Sequence, residues 1–558
     1  MTNLLKQFFL SVYLRVRMMW IRNKYYVPFI ELTKNPKDNQ WNLLKDILHK
    51  NKDTHFGCKH KFSSIQSYKD FRNAIPINEY EDLRSYINQQ EQTGEPCLNS
   101  QKPVMYAQTS GTTGEPKNIP ILNATIESYK HSQSLFSYTQ YSYDKEVYSG
   151  KILAIISPDI EGNLSTGTPY GAISGLIYKS MPTLLRRSYL LPFEIFTVSN
   201  YEIKYYLICA FALKSENITL IATPNPSTIL RLKEIIDTNF ENLLRDIESG
   251  NLSCMKDVDP EKRKRINCKF KPDKLRASQL RELKKKRGSL IISDIWPNLK
   301  LISTWTSGNC STLLPALKVQ LSSKSFIGEV GYMSSEFRGT VNLDIRNETQ
   351  VPTLNENFFE FVERDEWGSE SPDFLMLHEI ELGKDYYIFV TTQNGLYRYF
   401  INDIIQVTGK YHNTPTIKFT QKGDGVISLT GEKLYEDQVN KAVLKVIKNY
   451  NLRIKFYVMV AYSEELKYRL YIQQPFKAAY AHEIEEEISS LNIEYMEKRK
   501  SGRLRPLEVV CVEKRTAEEF KKYYLDKGQR EGQFKMIRLL SDKDCGFDFN
   551  KFCIRESC

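Results

Sequence analysis

The sequence predicts an α/β protein with a large N-terminal α/β domain, containing parallel sheets and a small barrel-like part, and a small, mobile α+β C-terminal domain. Three observations predict this fold. Strand-like and helix-like runs alternate from residue 151, short strands follow closely after about residue 355, and mixed helices and strands resume after Gly431. Alternating strands and helices build parallel sheets, whereas closely spaced short strands build antiparallel hairpins. A chain of 558 residues is long enough for several hydrophobic cores.

Four apolar runs predict the strands of a parallel sheet: "KILAIIS" (151–157), "ITLIAT" (218–223), "LKLISTW" (299–305) and "SFIGEV" (325–330). Polar loops rich in Gly, Ser, Thr and Asn follow them. Ligands of open parallel sheets bind at the carboxyl ends of the strands. We therefore expect a ligand site among these loops.

The rest of the chain divides into two further parts. The runs "FFEFVE", "DYYIFVTT", "LYRYFINDIIQVTG" and "TIKFTQKG" predict antiparallel hairpins or a small barrel. Beyond them, a helix near 435–450 and several mixed elements predict a compact α+β unit. Three glycines in "QKGDGVISLTGEK" allow a hinge between the two parts. The predicted domains are 1–425, a hinge at 426–432, and 433–558.

The formal charge of +11 comes largely from one stretch. Residues 256–289 contain 14 Lys or Arg and 5 Asp or Glu. We interpret this stretch as a solvated helical insertion, with nucleic-acid or membrane contact as the alternatives. We therefore expect that deletion of residues 260–286 leaves activity largely intact.

The cysteines and the N-terminus indicate the cellular compartment of the protein. Ten cysteines are scattered without a C-x-x-C pair, which indicates reduced thiols in the cytoplasm and argues against a zinc site. The apolar N-terminus is interrupted by Lys6, Arg15, Arg17 and Arg22 before a membrane-spanning run accumulates. It predicts an amphipathic helix of a soluble protein, with a peripheral membrane helix as the alternative and no stable membrane insertion.

The loop in "YAQTSGTTGEPKNIPI" (106–121) is typical of phosphate binding. Glycines let backbone N–H groups turn toward an anion, hydroxyls add donors, and Lys117 adds a positive charge. The nucleotide loop G-x-x-x-x-G-K-[ST] differs, because its lysine directly follows the glycine and begins a helix. Here "NIPIL" predicts a second strand, and the helix begins only near Asn123. A glycine-rich turn without a ligand is the alternative.

Three further stretches carry candidate chemistry: "GYMSSE", "LYRYFINDIIQVTG" and "LTGEKLYEDQV". Glu336 offers a carboxylate that suits Mg²⁺, and Asp403 offers one that suits both ribose hydroxyls. The alternatives are a loop cap for Glu336 and a surface turn for Asp403. With "TSGTTGEPK", "IPINEYEDLRSYI" and "IWPNLKLISTWTSG", these stretches resemble the acyl acid amido synthetases, the auxin-responsive Gretchen Hagen 3 family of adenylate-forming enzymes. The resemblance runs from about residue 50 to 540.

The resemblance implies a luciferase-like architecture and an ATP-dependent ligase of two steps. ATP and a carboxylic acid form an acyl-adenylate, and an amine, normally of an amino acid, then displaces AMP to form an amide. ATP and Mg²⁺ are the implied cofactors, with Glu336 as the metal ligand and Lys117 and Lys535 as catalytic residues. The implied nucleotide-binding residues are Thr109, Ser110, Gly111, Thr112, Thr113, Gly114, Ser335, Glu336, Tyr397 and Asp403.

Some positions leave alternatives open. Both lysines have a non-catalytic alternative. Lys117 could only stabilise the loop, and Lys535 could be a solvated lysine. The chain departs from the family at Asn402, where glycine is usual, and at Ile537, where proline is common; asparagine also tolerates positive φ. The rival functions are an acyl-CoA ligase, a nucleic-acid-binding module using residues 256–289, and a pseudoenzyme that binds adenylate. We expect a cytoplasmic monomer that binds no nucleic acid.

Overall fold

The computed structural model describes residues 2–109, 117–423, 425–430, 432–473, 476–477, 479–500, 504–527 and 534–554. Its α-helices, numbered in chain order, are α1 Thr2–Ile21, α2 Val27–Leu32, α3 Pro36–Lys50, α4 His55–Lys59, α5 Tyr68–Ala74, α6 Tyr80–Thr93, α7 Asn123–Tyr143, α8 Ile173–Ser180, α9 Thr183–Arg186, α10 Phe193–Phe196, α11 Tyr201–Lys214, α12 Pro226–Thr238, α13 Phe240–Ser249, α14 Pro260–Asn267, α15 Lys274–Arg287, α16 Ile292–Ile295, α17 Leu314–Lys318, α18 Glu436–Asn449, α19 Ala479–Leu491, α20 Ile493–Lys500 and α21 Thr516–Asp526.

The strands form six sheets. They are β1 Met105–Thr109, β2 Lys117–Ile121, β3 Lys151–Ala154, β4 Gly162–Asn163, β5 Pro169–Gly171, β6 Ile218–Ala222, β7 Leu301–Thr304, β8 Phe326–Glu329, β9 Thr340–Asn342, β10 Gln350–Pro352, β11 Asn357–Glu363, β12 Leu375–Met376, β13 Asp385–Thr392, β14 Tyr399–Tyr411, β15 Thr414–Lys422, β16 Val426–Ile427, β17 Leu434–Tyr435, β18 Tyr457–Tyr462, β19 Lys467–Gln473, β20 Glu508–Val512 and β21 Leu539–Ser541.

The predicted parallel sheet is confirmed. Its order is β3-β6-β7-β8, and every neighbouring pair is parallel. Successive residues alternate between two cores: Ile152 of β3 packs with α7, while Leu153 packs with α11, α12 and α13. Because helices cover both faces, most strand positions are apolar, which is why the strands stand out in the sequence as apolar runs.

The predicted hairpin around the glycine-rich loop is also present. β1 and β2 are antiparallel, with Thr109 paired to Lys117 at the open end, and β5 and β4 extend the sheet. The helix α7 begins at Asn123, as the sequence predicts. The loop itself, residues 110–116, lies outside the described residues.

The later part of the chain matches the predicted antiparallel texture. Five strands form the antiparallel sheet β12-β11-β13-β14-β15. Asn402 has a φ of 57°, so asparagine takes the left-handed conformation for which glycine is usual in the family. The last sheet, β20-β19-β18-β21, lies between two hydrophobic clusters, one including α18 and α19 and the other including α21. The α+β texture expected for this part of the chain is therefore present.

The expectation that the basic stretch is a removable insertion is wrong. It is helical, as predicted, but α14 and α15 bury Ile266, Ala277 and Leu280 in the same core as α11, α12 and α13. Arg276 is also buried, and its Nε and Nη2 donate to the carbonyl oxygens of Leu213 (2.9 Å) and Ile295 (3.0 Å). The charges therefore cover one face of an integral helical layer, and deletion would open the core.

The structure also bears on the expected membrane helix and on the expected state of the cysteines. No helix among the described residues has the length and apolar content needed to cross a bilayer. Eight described cysteines are free thiols, but Cys511 is disulfide-bonded, which corrects the expectation that all thiols are reduced. The scattered spacing of the cysteines gave no signal for this bond.

Candidate active site

One large cavity lies at the carboxyl ends of the parallel strands. Its volume is about 2160 Å³, and it is lined by β6–β8 and the loops after them, by the antiparallel sheet, and by residues 534–541 near the C-terminus. Ligand pockets in proteins usually measure about 300–1,000 Å³. The cavity therefore has room for more than one small substrate.

Asp403 lies on β14 and is buried in the wall of this cavity. Its Oδ2 accepts a hydrogen bond from Tyr332 Oη (2.6 Å), and its Oδ1 lies 2.5 Å from Lys422 Nζ. Burial and the adjacent Asp403 carboxylate hold the pKa of Tyr332 well above its ordinary value, so the phenol keeps its proton and donates. The ring of Tyr332 stacks on Phe419, with centroids 5.7 Å apart.

Ser335 and Glu336 lie in the turn after β8, at the edge of the same cavity. Ser334 shapes the turn, because its backbone N–H donates to Phe337 O (2.9 Å) and its Oγ accepts from the backbone N–H of Glu336 (3.2 Å). Glu336 is half-buried, and no cation of the described residues lies within 4.0 Å of its carboxylate. Among the described residues, no cation therefore pairs with this carboxylate at the edge of the cavity.

Lys535 enters the cavity from the C-terminal part of the chain. Its Nζ lies 5.1 Å from the ring centroid of Trp305 and 5.4 Å from that of Phe419. Burial lowers the pKa of Lys535, the nearby Asp403 carboxylate opposes this shift, and Lys422 adds to it. The structure thus brings Lys535 and Asp403, which are far apart in sequence, to the same cavity.

Hydrogen bonds hold residues 534–538 against the rest of the protein. Asn225 Nδ2 donates to Phe534 O (3.4 Å), and Arg538 Nη2 donates to Thr312 Oγ1 (3.4 Å). Within the C-terminal part, the backbone N–H of Arg538 donates to Glu436 Oε1 (2.7 Å). These contacts keep Lys535 directed toward the cavity.

The glycine-rich loop is only partly described. Thr109 ends β1, while Ser110, Gly111, Thr112, Thr113 and Gly114 lie outside the described residues. Lys117 begins β2 and lines the cavity, with its Nζ 5.8 Å from the ring centroid of Tyr80. Lys117, the first described residue after the loop, therefore lies at the cavity that holds the other candidates.

Tyr397 is a correction. It lies in the hydrophobic core and not in the cavity: its Oη donates to Leu98 O (3.0 Å), and its ring stacks on Phe56 with centroids 4.9 Å apart. The next residue, Arg398, forms a buried ion pair with Glu360 at 3.0 Å. The "YR" of this motif therefore stabilises the sheet that carries Asp403.

Sequence reasoning missed Glu329, the last residue of β8. Its Oε2 accepts from the backbone N–H of Thr306 (2.7 Å), from Thr306 Oγ1 (2.8 Å) and from Ser307 Oγ (2.9 Å), while its Oε1 accepts from Gly331 N–H (3.0 Å). This buried carboxylate ties the loop after β7 to the loop after β8. A lone acid at the end of an apolar run, in "SFIGEV", was the available signal.

Sequence reasoning also missed Arg338, which is buried in the cavity wall. Its Nε donates to Thr340 O and its Nη2 to Val330 O, both at 3.3 Å, and the guanidinium lies 5.6 Å from the ring centroid of Phe136. Burial lowers the pKa of this guanidinium. The Glu356 carboxylate opposes this shift, although no carboxylate of the described residues lies within 4.0 Å of the guanidinium.

An apolar part of the cavity extends away from Asp403. Its walls come from α1, α7, β3 and the segment between α7 and β3, and include Leu14, Met18, Ile21, Phe136, Tyr148 and Ile152. A cavity that combines an apolar part with charged groups suits an amphiphilic acid.

The fold is that of the adenylate-forming ligases. A solved 2-hydroxyisobutyryl-CoA ligase in complex with 2-HIB-AMP matches with a TM-score of 0.54 at 11% identity, over 90% of this chain and 89% of that one. A solved GH3.15 acyl acid amido synthetase matches with a TM-score of 0.82 at 23% identity, over 94% and 96% of the two chains. The predicted fold class is confirmed.

The chain belongs to the GH3 family. The models of the GH3 family N-terminal, central and C-terminal domains match residues 27–325, 350–422 and 437–544. Among curated proteins of Arabidopsis thaliana, the indole-3-acetic acid-amido synthetase GH3.4 is 26% identical over 92% of this chain and 90% of its own length. The 4-substituted benzoates-glutamate ligase GH3.12 is 26% identical over 91% and 94%. The family predicted from the motifs is confirmed.

Proposed function

We propose that the chain is an ATP-dependent ligase that adenylates a carboxylic acid and transfers the acyl group to the amine of an amino acid. The observation that carries the proposal is the convergence of Asp403, Glu336 and Lys535 on one cavity with an apolar extension. Relatives across nearly the whole chain length are amido synthetases, which supports an amine as the acceptor.

The nucleotide fits the polar end of this cavity. Each carboxylate oxygen of Asp403 has a second acceptor position beside its bond to Tyr332 or Lys422, so the group can also accept the ribose hydroxyls. The backbone N–H groups and hydroxyls of residues 109–114 are the proposed phosphate donors, with Ser335 beside them.

Mg²⁺ fits Glu336. A half-buried carboxylate that forms no ion pair within 4.0 Å among the described residues is the hard oxygen ligand that Mg²⁺ prefers together with substrate phosphates. When bound, the ion neutralises charge on the phosphates. Glu336 would then hold the ion at the edge of the cavity, while the side chains around it position the nucleotide.

The first reaction step joins two anions. A carboxylate oxygen of the acid attacks the α-phosphorus of ATP, the bond from this phosphorus to the bridging oxygen breaks, and pyrophosphate leaves. Lys535, directed into the cavity, is the proposed group that stabilises the charge developing on the α-phosphate, and Lys117 adds positive charge at the loop. In the second step the amine nitrogen attacks the acyl carbon, the bond to AMP breaks, and the nitrogen loses a proton.

The acid itself is proposed to be apolar, with its carboxylate facing Arg338. Two backbone carbonyls hold this buried guanidinium in the cavity wall, and no carboxylate of the described residues lies within 4.0 Å of it, so it can pair with the carboxylate of a bound acid. The apolar walls beside Phe136 suit the remainder of the molecule. We propose that the enzyme acts as a monomer in the cytoplasm.

The test combines a library of apolar carboxylic acids with ATP and each amino acid. We expect acid-dependent pyrophosphate release, faster conversion of ATP to AMP when the correct amino acid is present, and an acyl–amino acid amide by mass spectrometry. An acyl-CoA product with no amide from any amino acid would contradict the proposal and favour the CoA ligase alternative.

A further inference from the structure

The outward face of α1 carries a continuous apolar stripe. Val12, Val16, Met19 and Trp20 lie at spacings of four, seven and eight residues, which places them on one side of the helix. Their side chains are 43–63% exposed. We call these four residues the outer stripe. No described element covers them, although large apolar side chains grouped on a surface usually mark a contact site.

The rest of α1 has an evident structural role. Leu14, Met18 and Ile21 are buried and line the apolar part of the cavity. The apolar residues on this inner face are therefore explained by packing against the rest of the protein. Val12, Val16 and Met19 of the outer stripe do not line this cavity and need a different explanation. Trp20 borders both the stripe and the cavity, and its ring lies 5.4 Å from that of Tyr25.

The charges beside the outer stripe have one sign. The first 30 residues contain Lys6, Arg15, Arg17, Arg22 and Lys24 and no Asp or Glu. Arg15, Arg22 and Lys24 are exposed, and Lys24 Nζ lies 4.8 Å from the ring centroid of Trp20. An apolar stripe with tryptophan and a basic border is the pattern of helices that lie in the interface of an anionic membrane.

We propose that the outer stripe docks α1 onto an anionic lipid surface. The apolar side chains enter the boundary between headgroups and acyl chains, while Arg15, Arg22 and Lys24 contact lipid phosphates. A second copy of the chain is a poorer occupant, because it would bring an equally basic segment against this one. Only the width of one helix, about 10–12 Å, then separates the lipid from the apolar part of the cavity. The docking does not depend on the proposed ligase activity.

The test is co-sedimentation of the full chain with vesicles of phosphatidylcholine alone or with phosphatidylglycerol added. The test variant is Val12→Ser with Val16→Ser and Met19→Ser, none of which lines the cavity. The matched control replaces three exposed apolar residues elsewhere by serine: Leu275, Val319 and Leu382, which are 67–71% exposed. We expect the wild type and the control to bind the anionic vesicles, more weakly at high salt, and the test variant to bind at least about tenfold more weakly.

Three results would overturn the docking proposal: no binding of the wild type to anionic vesicles, equal loss in the control, or a concentration-dependent dimer that only the test variant abolishes. If the test variant does not fold, Arg22→Glu replaces it, because this side chain is exposed and lies outside the cavity. Its charge reversal should weaken binding to the anionic vesicles and leave the melting temperature unchanged, and unchanged binding would refute the proposal.

Discussion

Lys535→Ala is the sharpest perturbation of the proposed mechanism. The Lys535 ammonium lies beside two aromatic rings in the wall of the cavity, and no carboxylate of the described residues lies within 4.0 Å of its Nζ. Its positive charge can therefore stabilise an anion that enters the cavity. Removal of one preorganised charge from a transition state typically lowers the rate about 100-fold to 1,000-fold.

The two half-reactions should respond differently. Adenylation, measured as acid-dependent pyrophosphate release, should slow by about 100-fold or more, because charge develops on the α-phosphate in this step. Amide formation from a preformed acyl-adenylate should be much less affected. The matched control is Lys543→Ala, an exposed lysine of the same C-terminal part, which should change neither half-reaction. Equal damage to both half-reactions in the Lys535 variant would refute the assigned role.

The pH dependence gives an independent test. Because burial lowers the pKa of Lys535 below its ordinary 10.5, the side chain loses its charge at a lower pH than a solvated lysine. Adenylation should therefore fall as the pH rises through this lowered pKa, and Lys535→Arg should extend the active range upward. For stability the sign is opposite. Between the folded pKa and 10.5 the unfolded chain binds more protons, so this lysine adds stability as the pH rises.

Three further predictions concern other buried groups. Arg338→Leu should raise the KM for the acid by about 10- to 100-fold and leave the KM for ATP nearly unchanged, and an equal rise in both would contradict its assignment to the acid. Glu360→Gln leaves Arg398 buried without its partner and should lower the free energy of unfolding by about 3–5 kcal/mol, measured by denaturant titration. Leu280→Ala should cost about 2–5 kcal/mol, while Leu275→Ala on the exposed face of the same helix should cost little; equal effects would mean that the basic stretch is peripheral after all.

The strands of the parallel sheet were predictable because their burial depends on the residues of each strand alone. A strand covered by helices on both faces favours apolar residues on both sides, and β3, β6 and β7 therefore appear as largely apolar runs with polar loops after them. The antiparallel strands gave a similar signal of closely spaced aromatic and β-branched residues. The strand order within each sheet was not predictable in this way, since it depends on contacts between residues far apart in the chain.

The candidate site was predictable where one motif carries both the geometry and the chemistry. Asp403 sits in a stretch of recognisable composition, and its neighbour Asn402 adopts the left-handed conformation within β14. Arg338 was not predicted, because its place in the cavity wall depends on backbone carbonyls and on Phe136, which is far away in the sequence. The basic stretch misled for a related reason. Its charge is obvious in the sequence, whereas the few apolar residues that anchor it are not.

Tyr397 and Asp403 illustrate how one motif divides between support and chemistry. The motif "LYRYFINDIIQVTG" crosses from the core into the cavity wall within seven residues. At its start, Tyr397 bonds to Leu98 O and Arg398 pairs with Glu360, and both contacts anchor the sheet. In the middle of the motif, Asp403 faces the cavity with Lys422 opposite it on the neighbouring strand. A family motif can therefore contain residues that support the fold as well as residues that bind the ligand. The role of each residue has to be assigned from the contacts that this residue makes. On this basis we expect Tyr397→Phe to change stability and to leave the KM for ATP unchanged, and a raised KM for ATP at unchanged stability would reverse the assignment.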